Sequence, residues 1–202
     1  FEIDNSKTVN KSADYGSSIT TYDNKAGTGY VLDHTSGLPL TIGTDASKNV
    51  IKVYYAIDNN NNGTPDKYEA TVKYVVVNGT FEGETETSLT STFVLATKNA
   101  TTGEWTSTPK TLGNTVPTPV AATGYKAGSW DSVPTADTPV ERGETTYTYT
   151  FVIDQFAYTV EHYYEETVGG EFKINGDKTD KGSANYGSSI TTYDNKAGTG
   201  YV

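Results

Sequence analysis

Cysteine and methionine are both absent from this 202-residue chain. Without thiols there is no disulfide framework, no cysteine nucleophile and no thiolate metal site. Histidine is scarce: His34 and His162 stand in different parts of the sequence, and a lone His among aromatic strand residues reads as a packed or surface side chain. Basic residues are also few. Fifteen Lys and Arg against 25 Asp and Glu leave a net charge of −10, which opposes phosphate backbones and anionic membranes, because binding them needs clustered cations. Nucleic acid is therefore not expected as a partner. No apolar run approaches the roughly 18 residues needed to cross a bilayer, so membrane insertion is not expected of this segment. There is no G-x-S-x-G elbow, phosphate loop or dinucleotide fingerprint. Glu82, Glu84 and Glu86 read as one solvated face and not as an acid and base across a cleft. Catalysis is not expected.

What the chain does have is 16 Tyr and 6 Phe among frequent Val, Thr and Ile, a strand composition and not a disordered one. Residues 50–57 (VIKVYYAI), 70–77 (ATVKYVVV), 92–96 (TFVLA), 145–153 (TTYTYTFVI) and 158–164 (YTVEHYY) alternate or run apolar over strand length. In TTYTYTFVI, Tyr147, Tyr149 and Phe151 fall on one face and Thr146, Thr148 and Thr150 on the other. Turn clusters rich in Gly, Asn and Asp separate the runs. The only short helical candidates are residues 87–96 and 45–50. The chain is expected to be mostly β.

The sequence also repeats itself. Residues 186–202 (YGSSITTYDNKAGTGYV) match residues 15–31 letter for letter, a period of 171 residues from Tyr15 to Tyr186. Residues 172–185 align with 1–14 less closely. Such self-similarity marks units added head to tail, and a chain that starts at Phe1 without Met is expected to be a window from a longer polypeptide. A weaker repetition lies inside the period. Gly29-Tyr30 and Gly124-Tyr125 are each followed ten residues after the Gly by a Pro, Pro39 or Pro134, and each stretch closes on a strand ending Ile57-Asp58 or Ile153-Asp154. The expected organisation is therefore residues 1–57 as the C-terminal part of a split module, 58–69 as a linker loop, 70–154 as a complete module, and 157–202 as the N-terminal part of the next split module. Split modules leave unpaired sheet edges, which are templates for association. Either a continuous parent chain runs through both ends, or the tail of one copy completes the head of the next.

TVEHYY, YGSSITTYDNKAGTGYV and LPLTIGTDASKNVIKVYYAID resemble the mucin-binding-type repeats of Gram-positive surface proteins. The second module, with TVKYVVVNGTFEG, TGYKAGSWDSVP and ETTYTYTFVID, is similar to internalin-type and Listeria-Bacteroides-type repeats, matching their G-Y, G-x-W and Pro at Gly124, Tyr125, Gly128, Trp130 and Pro134. The resemblance implies tandem β-grasp-like modules in an elongated, beads-on-a-string array. It further implies an extracellular place on a bacterial cell surface or wall, and a role in an adhesin stalk or fibre. Neighbouring copies of the repeat are the expected partners, with host mucin or glycans as the alternative. For the alternative, Trp105, Trp130 and Tyr125 would have to form a sugar-stacking platform. Core or joint packing is the commoner use of such residues.

One stretch carries ligand chemistry. Residues 58–69, DNNNNGTPDKYE, satisfy D-x-[DN]-x-[DN]-G-x5-E. Asp58, Asn60 and Asn62 take positions 1, 3 and 5, Gly63 is the turn glycine, Thr64 offers its carbonyl at 7, Asp66 sits at 9 and Glu69 at 12. A hard cation wants six to eight oxygens, and this spacing wraps them around Ca2+. Strands flank the loop instead of helices, and with three carboxylates the affinity is expected near the extracellular range of roughly 10⁻⁴ to 10⁻³ M. The bland reading is a hydrophilic linker whose side chains cap turns. Lys73 has no Asn on the closing strand to meet it for an isopeptide crosslink, Gln155 is the only Gln available for an ester crosslink, and the sequons at Asn78 and Asn99 mark turns.

Overall fold

The computed structural model describes residues 5–100 and 102–200. Its strands are β1 (Ser18–Ile19), β2 (Tyr30–Ser36), β3 (Leu40–Thr41), β4 (Lys52–Ile57), β5 (Glu69–Val77), β6 (Gly79–Phe81), β7 (Ser88–Val94) and β8 (Ala96–Lys98). They are followed by β9 (Trp105–Ser107), β10 (Pro119–Ala121), β11 (Tyr125–Trp130), β12 (Gly143–Ile153), β13 (Gln155–Val160), β14 (Tyr163–Glu165), β15 (Phe172–Ile174) and β16 (Asp180–Asn185). The only helical pieces among the described residues are 3-10 turns of three residues, so the protein is mostly β. The largest sheet has the order β11-β12-β5-β7, and the remaining strands form two-stranded ladders.

The expected strands appear with two breaks. Residues 92–96 divide between β7 and β8 at Leu95, whose amide turns to the Tyr68 carbonyl (2.7 Å). Residues 158–164 divide between β13 and β14, because the His162 carbonyl accepts from Asn175 and starts a second hairpin. Neither helical candidate forms a helix of any length. Residues 88–94 are strand β7, consistent with their Thr and Ser content, and 46–48 make one 3-10 turn capped by Asp45, whose carboxylate accepts from Ser47 N–H (3.0 Å).

The chain forms two compact units. The first comprises Phe1–Tyr74, Leu89–Val116 and Pro134–Tyr147. Here Ala70, Val72 and Tyr74 alternate inward along β5 and are buried with Leu95, Leu112, Val140 and Tyr147, as a half-buried strand requires. The Tyr74 ring stacks on Tyr147 at 5.9 Å. Its hydroxyl lies 3.0 Å from the Thr115 hydroxyl, so this buried polar group is satisfied. Ladders β1–β3, β2–β4 and β8–β9 complete the unit.

The second unit comprises Val75–Ser88, Pro117–Val133 and Thr148–Val202. Val76, Phe81 and Phe151 are its buried apolar residues. Tyr149 is edge-packed between Trp130 (5.3 Å) and Phe151 (4.7 Å). A register shift between Lys126 and Ser129 bends β11, as a bulge does, and at this shift Gly128 lies so close to β12 that a Cβ would sit 1.7 Å from the Thr150 carbonyl oxygen. Ladders β10–β6, β13–β16 and β14–β15 also belong here.

Among the described residues 12 apolar side chains are buried; 11 lie between Ala70 and Phe151 and none lies beyond it. These 11 are divided between the two units. Ala56 is all that residues 5–57 add.

Candidate metal loop and module junctions

The inner repetition seen in the sequence corresponds to one hairpin geometry made twice. Tyr30 pairs with Ile57 across β2 and β4, and Tyr125 pairs with Ile153 across β11 and β12. Gly29 and Gly124 precede the tyrosines at φ +79° and +86°, in the left-handed region that favours glycine. Each glycine carbonyl accepts the N–H of the acidic residue that closes the hairpin, Asp58 or Asp154, at 2.9 Å. In both hairpins the register shifts a few residues after the tyrosine, between Leu32 and His34 or between Lys126 and Ser129.

From Asp58 the chain enters the candidate calcium loop, which lies wholly in the first unit. Asp58 is 3% exposed. Its two carboxylate oxygens accept the N–H groups of Asn62 (3.1 Å) and Gly63 (2.9 Å). Asn61 at φ +55° and Gly63 at φ +88° make the turns that bring those amides around; asparagine is one of the few side chains that tolerates this region. The Asn60 and Asn62 amides donate to the two Glu69 oxygens at 2.9 Å and 2.5 Å. The side chains of positions 3, 5 and 12 of the motif are thus joined, while position 1 holds the backbone of the turn. Asp66 does not join them: its oxygens accept from the Asn59 backbone (3.0 Å) and side chain (2.6 Å). Thr64 N–H donates to Asn62 Oδ1 (2.8 Å). Among the described residues no three His, Cys, Asp or Glu side chains gather as metal ligands; the convergence depends on asparagine amides. The loop is tied back to the repeat by Gly29, whose N–H donates to Asn61 Oδ1 at 2.9 Å.

The loop residue Lys67 makes an ion pair that the sequence does not announce, its side chain part-exposed and its acidic partner buried. Asp33 is 4% exposed, with Lys67 Nζ at 2.7 Å from Oδ1 and His34 Nδ1 at 2.9 Å from Oδ2. Burial pushes its carboxyl up, but the hydrogen bonds and charges of Lys67 and His34 outweigh burial and hold it below the usual carboxylate range. The His34 ring stacks on Tyr54 at 4.2 Å. Lys67 and Asp33 are far apart in sequence, so the only local signal was an acid inside the apolar run VLDH, next to the β2 register shift. His34 thus serves packing and a hydrogen-bond contact with Asp33.

After Asp154, where the sequence suggests a second junction, the chain packs directly within the second unit. Tyr186 N–H donates to the Asp154 carbonyl at 2.9 Å. The Tyr186 ring lies over Gly124, where a Cβ would come within 2.1 Å of it, and edge-packs on Phe156 at 6.0 Å. Gln155 donates to Asn185 (3.1 Å), and Lys126 pairs with Asp154 (3.1 Å).

The other residues singled out in the sequence are scattered. Trp105 is stacked on Tyr68 (5.5 Å), with its indole N–H directed at the Leu32 carbonyl (3.4 Å). Trp130 is engaged with Tyr149, and Tyr125 is half-buried in the β11 ladder. His162 lies 3.5 Å from Asp180, which also pairs with Lys196. Lys73 is exposed on β5. Comparison with known proteins returned no matching family model, no matching curated protein and no matching solved structure.

Proposed function

We propose that the chain is a non-catalytic structural stretch of a tandem array, in the stalk or fibre of a secreted or wall-attached bacterial surface protein. The observation that carries this reading is the pair of junctions. The same Gly-Tyr/Ile-Asp hairpin closes twice, and at Asp154 the next copy of the repeat is received directly, Tyr186 seating on a glycine that has room for it. A period that ends by docking its own successor suits extension, not catalysis. In the module of residues 70–154 the first and last long strands, β5 and β12, are neighbours in the middle of the sheet, with β7 and β11 outside them. That order supports a β-grasp-like module in which β8, β9 and β10 occupy the connection where a helix would otherwise run. The bacterial surface setting rests on the resemblance of the motifs.

Calcium is the second part of the proposal. Asp58, Asn60, Asn62 and Glu69 would supply the first ligands, with the Thr64 carbonyl and Asp66 recruited as the loop tightens. A divalent ion here would hold β4 and β5 at a fixed spacing and stiffen the array. Thermal unfolding in 5 mM calcium, against equal magnesium and against chelator, tests it. A rise in midpoint specific to calcium, weakened at least tenfold in apparent affinity by Glu69→Gln, is expected; equal midpoints in all three would sink the calcium reading.

The alternative is a mucin- or carbohydrate-binding adhesion module. The aromatic residues it would use are engaged in packing, Trp105 on Tyr68 and Trp130 on Tyr149, which favours the spacer. Specific retention of the chain on a glycan array, lost in Trp105→Ala, would reverse that preference.

A further inference from the structure

One 17-residue sequence occurs twice in the chain and meets two different sets of neighbours. In the first copy Gly16 N–H donates to the Ile42 carbonyl and Ile42 N–H to the Ser17 carbonyl, both at 2.9 Å, and Ser18 and Ile19 pair with Thr41 and Leu40. Lys25 N–H donates to the Tyr55 hydroxyl at 2.7 Å. In the second copy the turn is the same. Ser188 N–H and Oγ both contact the Asn185 carbonyl, at 3.0 and 2.7 Å, as Ser17 N–H and Oγ contact the Asp14 carbonyl, at 3.0 and 2.6 Å. Yet Ser189 and Ile190 form no strand, and Ile190 is 47% exposed. The converse holds upstream. Asp180–Asn185 is strand β16, paired with β13, whereas the equivalent residues 9–14 form no strand.

Partners upstream of the shared segment and partners downstream of it use different atoms of the segment. In the second copy the Lys196 carbonyl accepts from the Tyr164 hydroxyl (2.5 Å); in the first copy the Lys25 carbonyl accepts from Lys7 Nζ (3.2 Å), upstream of the segment, and the Lys25 N–H donates to Tyr55 of β4, downstream of it. One segment can therefore hold both sets at once. We infer that residues 186–200 of one copy take the place of residues 15–29 in a second copy of this chain, Ser189 and Ile190 pairing with Thr41 and Leu40 of that second copy. The result is a composite module carrying the β13–β16 ladder from one chain and the β2–β4 ladder from the other. The inference rests on the array reading and names its partner surface.

The second copy's own residues 15–29 compete for the same place with the advantage of being tethered, an effective concentration in the millimolar range for short connections. Exchange is thus weak in the unaltered chain and strengthens when the resident segment is impaired. This gives the same substitution opposite effects in the two repeats. Sedimentation velocity over a concentration series should show Ile19→Asp assembling head to tail at concentrations at least tenfold below the unaltered chain, and Ile190→Asp suppressing assembly. The double variant should return to monomer. Assembly of Ile19→Asp that persists in the double variant would show nonspecific exposure of a damaged head and overturn the inference, as would monomeric Ile19→Asp at every concentration.

A second readout does not depend on a destabilised head. The chain has no cysteine, so Leu40→Cys with Ile190→Cys should oxidise to chain-to-chain disulfides, and Leu40→Cys with Ile19→Cys to a bond within one chain. Absence of the first product, with the second formed, overturns the exchange. The array reading is judged separately: it fails if a two-period chain unfolds as two independent single periods, an outcome that leaves the exchange assay readable.

Discussion

Asp58 and Asp33 show how much the surroundings of a single carboxylate decide. Asp58 accepts two backbone N–H groups in a turn that Asn61 and Gly63 form at positive φ, so Asp58→Ala takes the acceptor from Gly63 N–H, leaves Asn62 N–H only Asn60 Oδ1 at 3.1 Å, and is expected to cost about 1–3 kcal/mol even in chelator. Urea unfolding checks this, and the calcium-dependent rise in midpoint should vanish in the same variant. Asp33 has its pKa held below the unfolded value, chiefly by Lys67 and His34 against the opposing pull of burial. Its contribution is therefore present above the unfolded carboxylate pKa of about 3.9 and is lost as pH falls through the lower folded value. Asp33→Asn should destabilise the protein at pH 7 and much less at pH 3, as unfolding midpoints at the two pH values would show. The candidate cation loop was legible as a pattern, because each motif position is set by spacing along one short segment. The Asp33 pair was not, because its partner Lys67 arrives through the fold.

At the scale of elements, alternation predicted β5 and β12 well: Ala70, Val72, Tyr74 and Val76 point inward, as do Tyr147 and Phe151. The helical candidate at 87–96 failed because Ser and Thr residues beside a long neighbouring strand gain more from ladder pairing than from a short isolated helix. The glycines separate two costs. Gly143 has φ +87° with open space around its Cβ position, so Gly143→Ala should cost about 1–2 kcal/mol from backbone strain alone. Gly128 meets the Thr150 carbonyl, which is backbone and cannot rotate away. Gly128→Ala should therefore cost about 3 kcal/mol or more and disturb the β11–β12 register. Denaturant midpoints of the two variants should rank in that order, and equal midpoints would mean that the bulge relaxes freely.

For the whole molecule, the repeat makes a direct comparison possible inside one chain. Gly16 N–H is bonded to the Ile42 carbonyl; Gly187 has the same sequence around it without that partner beside it. Hydrogen exchange should find the Gly16 amide protected and the Gly187 amide exchanging at least tenfold faster, with the difference shrinking as concentration rises and chains exchange segments. Equal exchange rates in dilute solution would contradict the asymmetry between the two copies. Composition and period by themselves determined a mostly-β, acidic, thiol-free chain organised in repeats, with one loop of cation-binding pattern, because these depend on local spacing and residue type. Only the tertiary structure decided that the two hairpins share a Gly-to-Asp closure, that Tyr186 seats on Gly124, that Asp33 is paired, and that Ser18–Ile19 forms a strand in one copy while Ser189–Ile190 forms none in the other. Strand pairing is a non-local bond: a segment's residues fix which partners it accepts, and the rest of the chain fixes which of them is within reach.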